Sequence, residues 1–388
     1  MTMLSAVCLL ALCPMPQGEA APQAMLVKAK TIVVAAGERL EDGHILLRGG
    51  KVAAVGATVP AELGPDVVRV DLGDAVIVPG FVVPHAYLGR DEDLAETADA
   101  YTPDLRAVDG YDPFGDEARH MLQGGVTTAV VAPRSTNTLA GIGGAVKTTA
   151  GGGAVREQCY LKVALVPESL DQQRFPTSRM GAMSLLRAAF DSANSPTAAL
   201  TTDRQALRDV TGGGLPMLVH ARTRDEICCA LDLIDPGREG VLAGTAARVV
   251  LLGADEASKC LDRLVALRVA VWLEPLRPGA DEDVLSLPAR LAGRRVPFAF
   301  AANSAAELRL SAALAVRHGL DPHAALVAMT QAPATMLGID DRVGSLQQGK
   351  DADLVAFTGD PVDLGARIVA VCVGGKPVVA PSPLPSRD

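Results

Sequence analysis

Aromatic residues are scarce in this 388-residue chain, at 3% with a single tryptophan. Apolar residues still reach 49%, so the core must be built mostly from Val, Leu and Ala, which suits the interior of a parallel sheet. Other absences narrow the function. No Cys-x-x-Cys occurs among the seven cysteines, which removes nearly all support for a zinc finger. No basic run interleaved with aromatics exists, and the net charge is −9; nucleic acid and anionic membrane are poor partners for such a chain. The Gly-x-Ser-x-Gly elbow of serine hydrolases is missing. Gly141-Ile142-Gly143-Gly144 is glycine-rich, but without the spacing of a dinucleotide site.

The chain also lacks an apolar run long enough to span a bilayer; its longest early stretch, Leu4 to Cys13, is too short. With Gly18-Glu19-Ala20 behind it, that stretch reads as a signal segment over residues 1–24 and implies export. No Lys or Arg precedes it, so a start codon placed too early or a loose N-terminal tail is the alternative, and the protein would then be cytoplasmic. Beyond this segment Cys159, Cys228, Cys229, Cys260 and Cys372 remain. That odd, irregularly spaced set is no disulfide framework.

What is present is an organised alternation. From Leu26 to Val78 short β-rich runs are separated by Gly50-Lys51 and Gly56, as in hairpins. The same texture returns near the C-terminus, where Ala352–Phe357 and Ile368–Val373 read as strands around a Gly374-Gly375 turn. Terminal strands bracketing a long middle predict one small β-domain assembled from residues 25–80 and 339–382. The middle, 81–338, alternates strand-like runs (Thr127–Val131, Leu161–Val166, Met217–Val219, Arg248–Leu252, Ala270–Leu273, Phe298–Ala301) with helical stretches such as Asp116–Gln123 and Arg224–Leu233. Strands alternating with helices predict βα units around a parallel sheet, and roughly 250 residues fit a (β/α)₈ barrel of the TIM type. A doubly wound open sheet is the runner-up.

The chemistry starts at VPGFVVPHAYLG, Val78 to Gly89. Residues at i and i+2 of a strand point the same way, so a His-x-His at its end would aim two imidazoles at one ion such as zinc, iron or nickel. Here His85 is followed by Tyr87, a phenol with a pKa of about 10 that ligates poorly at neutral pH. His220 ends a second apolar strand, LPMLVHA. Taken alone it reads as a hydrogen-bonded core or rim residue. His44, His120, His318 and His323 read as structural or solvated. The acidic runs Asp91-Glu92-Asp93 and Asp281-Glu282-Asp283 read as solvated loops or helix starts, with Ca²⁺ binding a distant second.

Three linked segments, GKVAAVG with VPGFVVPH, then GGVTTAVV, then PATMLGIDDRVGSLQQGKDADLVAF, resemble the amidohydrolase superfamily, and within it the imidazolonepropionase-like members. The resemblance covers about Leu26 to Val379. It implies a (β/α)₈ barrel with its site at the C-terminal strand ends, a small β-sandwich built from both termini, and a divalent ion or ion pair that activates water to cleave a non-peptide C–N bond, such as that of a cyclic amide. It also implies a ligand set: His-x-His after the first strand, a carboxylated Lys or a Glu near the fourth, one His each after the fifth and sixth, and an Asp after the last. On this chain those positions fall at His85 and Tyr87, at Lys147 in GGAVKTTAGG, at His220, at Gly253 and at Asn303. Lys147 reads equally as an ordinary lysine in a glycine-rich loop. Tyr87, Gly253 and Asn303 depart from the pattern: glycine has no ligating atom, and Asn cannot act as a general base.

Three readings stand on this evidence. The first is a pseudoenzyme with an eroded site that binds a small molecule at the barrel mouth, metal-free. The second is a working hydrolase with one divalent ion on His85, His220 and Lys147, with Tyr87 and Asn303 lining the pocket. The third is an interaction protein, for example a homo-oligomer joined through the terminal β-domain.

Overall fold

A computed structural model describes residues 24–60, 63, 66–197 and 199–379. The expected signal segment, apart from Ala24, lies outside these residues. Five strands open the chain: β1 (Ala24–Ala35), β2 (Glu38–Arg48), β3 (Lys51–Gly56), β4 (Val67–Asp71) and β5 (Val76–Pro79). Eight follow: β6 (Phe81–Ala86), β7 (Val126–Val131), β8 (Leu139–Lys147), β9 (Ala154–Ala164), β10 (Met217–Ala221), β11 (Val249–Gly253), β12 (Ala270–Leu273) and β13 (Phe298–Phe300). The last three are β14 (Leu354–Phe357), β15 (Ile368–Val373) and β16 (Lys376–Val379).

The first five and last three strands form one sheet in the order β16-β15-β14-β5-β1-β2-β3, with β4 also on β1. Strand β14 therefore returns from the far end of the sequence to lie beside β5, pairing Leu354 with Pro79 and Phe357 with Val76. This sheet buries a set of its own, including Val27, Ile32, Ile45, Ile77, Leu354 and Ala356.

Strands β6 to β13 lie side by side in sequence order. The ends of this second sheet approach through an Ala302 N–H to His85 carbonyl bond of 3.3 Å, giving a nearly closed barrel. Strands such as β6, β7, β10 and β11 are buried along their whole length, which explains their unbroken Val and Leu content. Inward residues recur with period two. Val82, Val130, Leu218, Leu252, Trp272 and Ala299 belong to one apolar cluster inside the barrel. Helices pack outside; Arg179–Asn194 is capped by Ser178, and Arg224–Asp232 by a Thr223–Glu226 capping box.

The barrel corrects the (β/α)₈ expectation at one strand. Strand β8 runs antiparallel to both β7 and β9, while the other neighbours pair in parallel. No helix separates β7, β8 and β9. The glycine run 141–144 is thus part of a strand rather than a loop. Its composition reflects close approach: a Cβ on Gly143 would come within 2.5 Å of the Tyr160 ring.

The reversal of β8 also relocates Lys147. Its residue pairs with Thr128 near the start of β7, at the end of the barrel opposite the mouth. There Lys147 Nζ lies 3.0 Å from Asp351 and 2.5 Å from Asp353. Lys51 and Arg342 share Asp351 at 2.7 and 3.2 Å. Lys147 thus ties the barrel to the segment entering β14. The expectation of Lys147 as a metal ligand is not met, because the reversed strand ends away from the mouth and sets its amine against Asp351 and Asp353. Removing one member of such a buried pair costs about 3 kcal/mol. Lys147→Met should lower the urea midpoint accordingly, and an unchanged midpoint would show that the cluster does not hold the two sheets together.

Among the described residues the five cysteines are free; burial pushes the Cys159 thiol up to about 11 and Cys372 to about 12. No described helix is long and apolar enough to cross a membrane.

Candidate functional site

At the C-terminal ends of the barrel strands lies a cavity of about 700 Å³. Strand β6 delivers His85 and then Tyr87. Pro84 has no N–H for the ladder, and the β6–β7 register shifts between Val83 and Ala86. That break leaves the His85 carbonyl to receive Ala302.

The side chain at the centre is Lys162 of β9, fully buried and two residues past inward-facing Tyr160. Its Nζ lies 3.0 Å from His85 Nε2, 3.1 Å from Tyr87 Oη and 2.6 Å from the Pro133 carbonyl. A lysine ammonium has three N–H donors and no acceptor; these three partners absorb all of them. Burial pushes the Lys162 amine well below the ordinary lysine range, Glu274 opposing the shift and Arg134 adding to it. Burial and then the Lys162 charge push His85 well below its ordinary value, so its ring is neutral and offers a lone pair to the amine.

The network continues outward. Tyr87 Oη is 3.2 Å from Ser135 Oγ, which is 2.8 Å from His220 Nδ1. His220 Nε2 stands 3.5 Å from Glu274 of the segment after β12, too far for a made hydrogen bond, and this buried nitrogen has no other partner. Burial raises the Tyr87 phenol, outweighing the Ser135 contact. Burial pushes the Glu274 carboxyl up, but His220, Arg222 and Lys162 together hold it below its usual range.

Gly253 and Asn303 now have physical explanations. Gly253 sits at φ +83°, and a Cβ there would lie 2.9 Å from Arg222 Cγ and 3.3 Å from Glu274 Oε2. The space a histidine would use is taken by groups from the neighbouring strand ends. Asn303 accepts the Tyr87 backbone N–H at 2.9 Å through its amide oxygen, so it serves as a brace for the strand bearing His85. The structure therefore gathers His85, Tyr87, His220 and Asn303 at the mouth, and leaves Lys147 out.

Sequence reasoning passed over Lys162, Ser135, Arg134 and Glu274. A lysine inside the apolar run YLKVALV was the available signal, since lysine is almost never fully buried without a partner. Glu274, two residues beyond Trp272, follows the same period. Asp91 and Glu92, expected as solvated charges, line the cavity, and Asp91 pairs with Arg134. Of the other histidines, His318 faces Glu282 and His323 accepts from the Gly37 N–H, away from the site.

The frame matches known proteins. Residues 218–378 match the model of the amidohydrolase family. An amidohydrolase from Thermotoga maritima MSB8 superposes with a TM-score of 0.82 at 25% identity, over 92% of this chain and all of that one. The chain belongs to the amidohydrolase superfamily. A curated relative, the amidohydrolase tasK of Hapsidospora irregularis, is 25% identical over 88% of this chain, which spans only 41% of that protein. The imidazolonepropionase of Thermoplasma acidophilum is 22% identical over 83% of this chain and 84% of its own length.

Amidohydrolase-superfamily members are typically metal-dependent, and the donor set here can be tested against such an ion. Among the described residues no group of three or more His, Cys, Asp or Glu side chains converges as metal ligands would. His85 Nε2 faces an amine, His220 Nδ1 faces a hydroxyl, Gly253 offers no atom, and the Asn303 oxygen is engaged. As placed, these groups bond one another, and Lys162 on β9, the fourth barrel strand, is the lysine that stands where the resemblance puts a bridging ligand. Restoring the histidine does not repair the set. Gly253→His should lower stability by about 1–3 kcal/mol through its left-handed backbone and crowding, and should bind no zinc by calorimetry. A stable variant holding zinc tightly would contradict this geometry.

Proposed function

We propose that this amidohydrolase-superfamily protein has lost metal-dependent C–N hydrolysis and uses the cavity to hold a small polar organic molecule. The observation carrying this reading is the amine of Lys162 in hydrogen-bond contact with His85 Nε2, the nitrogen a metal would need. That amine, 3.0 Å away, and a divalent ion cannot both occupy the same face of the nitrogen.

The lining points to a ligand class. Four carboxylates, Asp91, Glu92, Glu168 and Glu274, face the cavity with two guanidiniums, Arg134 and Arg222. Arg134 is already paired with Asp91, and Arg222 with Glu168. Glu92 pairs with Arg90, which leaves Glu274 as the carboxylate without an arginine partner and favours neutral or cationic molecules over anions. Cyclic amides, which the family resemblance suggests, are neutral and carry both donor and acceptor, so they suit this wall.

The reading has an architectural side as well. The terminal sheet forms a small β-sandwich: its separate buried set and the doubled pairing of β1 with β4 and β5 support a second layer. The unit at 81–338 carries the cavity alone. Export by residues 1–24 and assembly into a homo-oligomer belong to the same proposal.

Elemental analysis of protein purified without chelator should find no stoichiometric zinc, iron or nickel. Calorimetric titration with lactams and amine-bearing lactams should give saturable heats, weaker or absent with N-acyl amino acids of similar size. One tightly held metal per chain, or a preference for the anionic probes, would overturn the reading.

A further inference from the structure

A chain of polar contacts leads outward from Lys162, whose Nζ lies 3.1 Å from Tyr87 Oη, itself 3.2 Å from Ser135 Oγ. Ser135 Oγ lies 2.8 Å from His220 Nδ1, a separation at which the hydroxyl can donate to that nitrogen. In that arrangement the ring proton sits on Nε2, on the side of the Glu274 carboxylate at 3.5 Å. Hydroxyl, imidazole and carboxylate stand in the order of a nucleophile, its base and the group that orients the base. Serine hydrolase sites are recognised by this geometry rather than by an elbow motif, and here the two ring nitrogens exchange roles relative to the usual arrangement. Ser135 and His220 both line the cavity. The adjoining Arg134 has a buried Nε with no acceptor, and its guanidinium lies 4.2 Å over the Tyr87 ring.

We propose that Ser135 is a nucleophile that takes the acyl group of a small ester or activated amide, with His220 as its base and Glu274 as a positioning residue. This rests on the cavity being a small-molecule site. Ser135 Oγ forms a bond to the carbonyl carbon while its proton passes to His220 Nδ1. The C–O or C–N bond to the leaving group then breaks, and the departing alcohol or amine takes that proton from Nδ1. Water from solvent attacks the acyl-serine, giving its proton to His220. The serine oxygen departs with that proton, leaving the free carboxylic acid and the original hydroxyl. The sum is hydrolysis of one acyl bond by one water, with no change of oxidation state. Arg134, which lines the same cavity, is the cation available to a carbonyl oxygen becoming negative there, the kind of charge that favours acyl transfer.

Intact-mass spectrometry after incubation with a small alkyl fluorophosphonate, in the presence of a chelator, tests this directly. The native protein should gain one adduct, mapped by peptide sequencing to Ser135. Ser135→Ala, shown folded by an unchanged melting curve, should gain none. His220→Gln should label about 100-fold more slowly, as expected for loss of a general base. Glu274→Gln should label more slowly with a shifted pH profile, which a purely structural role would not produce. No adduct on native protein that still binds lactams would remove the nucleophile while leaving the binding site intact. An adduct that persists in Ser135→Ala would also overturn the assignment.

Discussion

Everything at the mouth of this barrel depends on where one buried amine spends its hydrogen bonds. Lys162 lies inside an apolar strand, where an unpaired ammonium would be prohibitively expensive. It is tolerated because two side chains and one backbone carbonyl converge on it. Those partners are thereby committed. His85 Nε2 and Tyr87 Oη both face the amine, and Ser135 and His220 follow in sequence. These contacts commit the polar groups at the barrel mouth to one another.

The barrel supplies the geometry that makes such an exchange possible. Period-two alternation brings Lys162 of β9, His220 of β10 and Glu274 just past β12 to one end, each two residues beyond a buried apolar residue, namely Tyr160, Leu218 and Trp272. Gly253 contributes by having no side chain, since Arg222 and Glu274 fill the volume above it. Asn303 contributes an amide oxygen to the backbone of Tyr87. Tyr87, Gly253 and Asn303 are linked: Tyr87 meets Lys162 through its hydroxyl and Asn303 through its backbone N–H, and Gly253 leaves room for Arg222 and Glu274.

Much of the frame was legible in the sequence because it is written in local patterns. Apolar runs punctuated by glycine marked the terminal strands, and matching texture suggested a domain shared by both chain ends, though not that β14 lies beside β5. The alternation of strands and helices indicated the barrel. The reversal of β8 was not legible, since a strand's direction depends on which neighbour it joins, and its glycines imitate a loop. That reversal also misled the choice of lysine. Lys147 sits in a stretch that resembles the family's motif, yet it faces two aspartates at the opposite end. Lys162 sits in a run that looks like ordinary core. Motif likeness identified the place of His85 and His220, but the partners of each depend on contacts between strands far apart in sequence, which only the assembled barrel provides.

A crystal structure grown with excess zinc, with data collected at the zinc absorption edge, tests the replacement of ion by amine most directly. The expected result is His85 Nε2 still within hydrogen-bond distance of Lys162 Nζ, with no anomalous density between His85 and His220. An anomalous zinc peak bonded to both histidines, with Lys162 displaced, would contradict it.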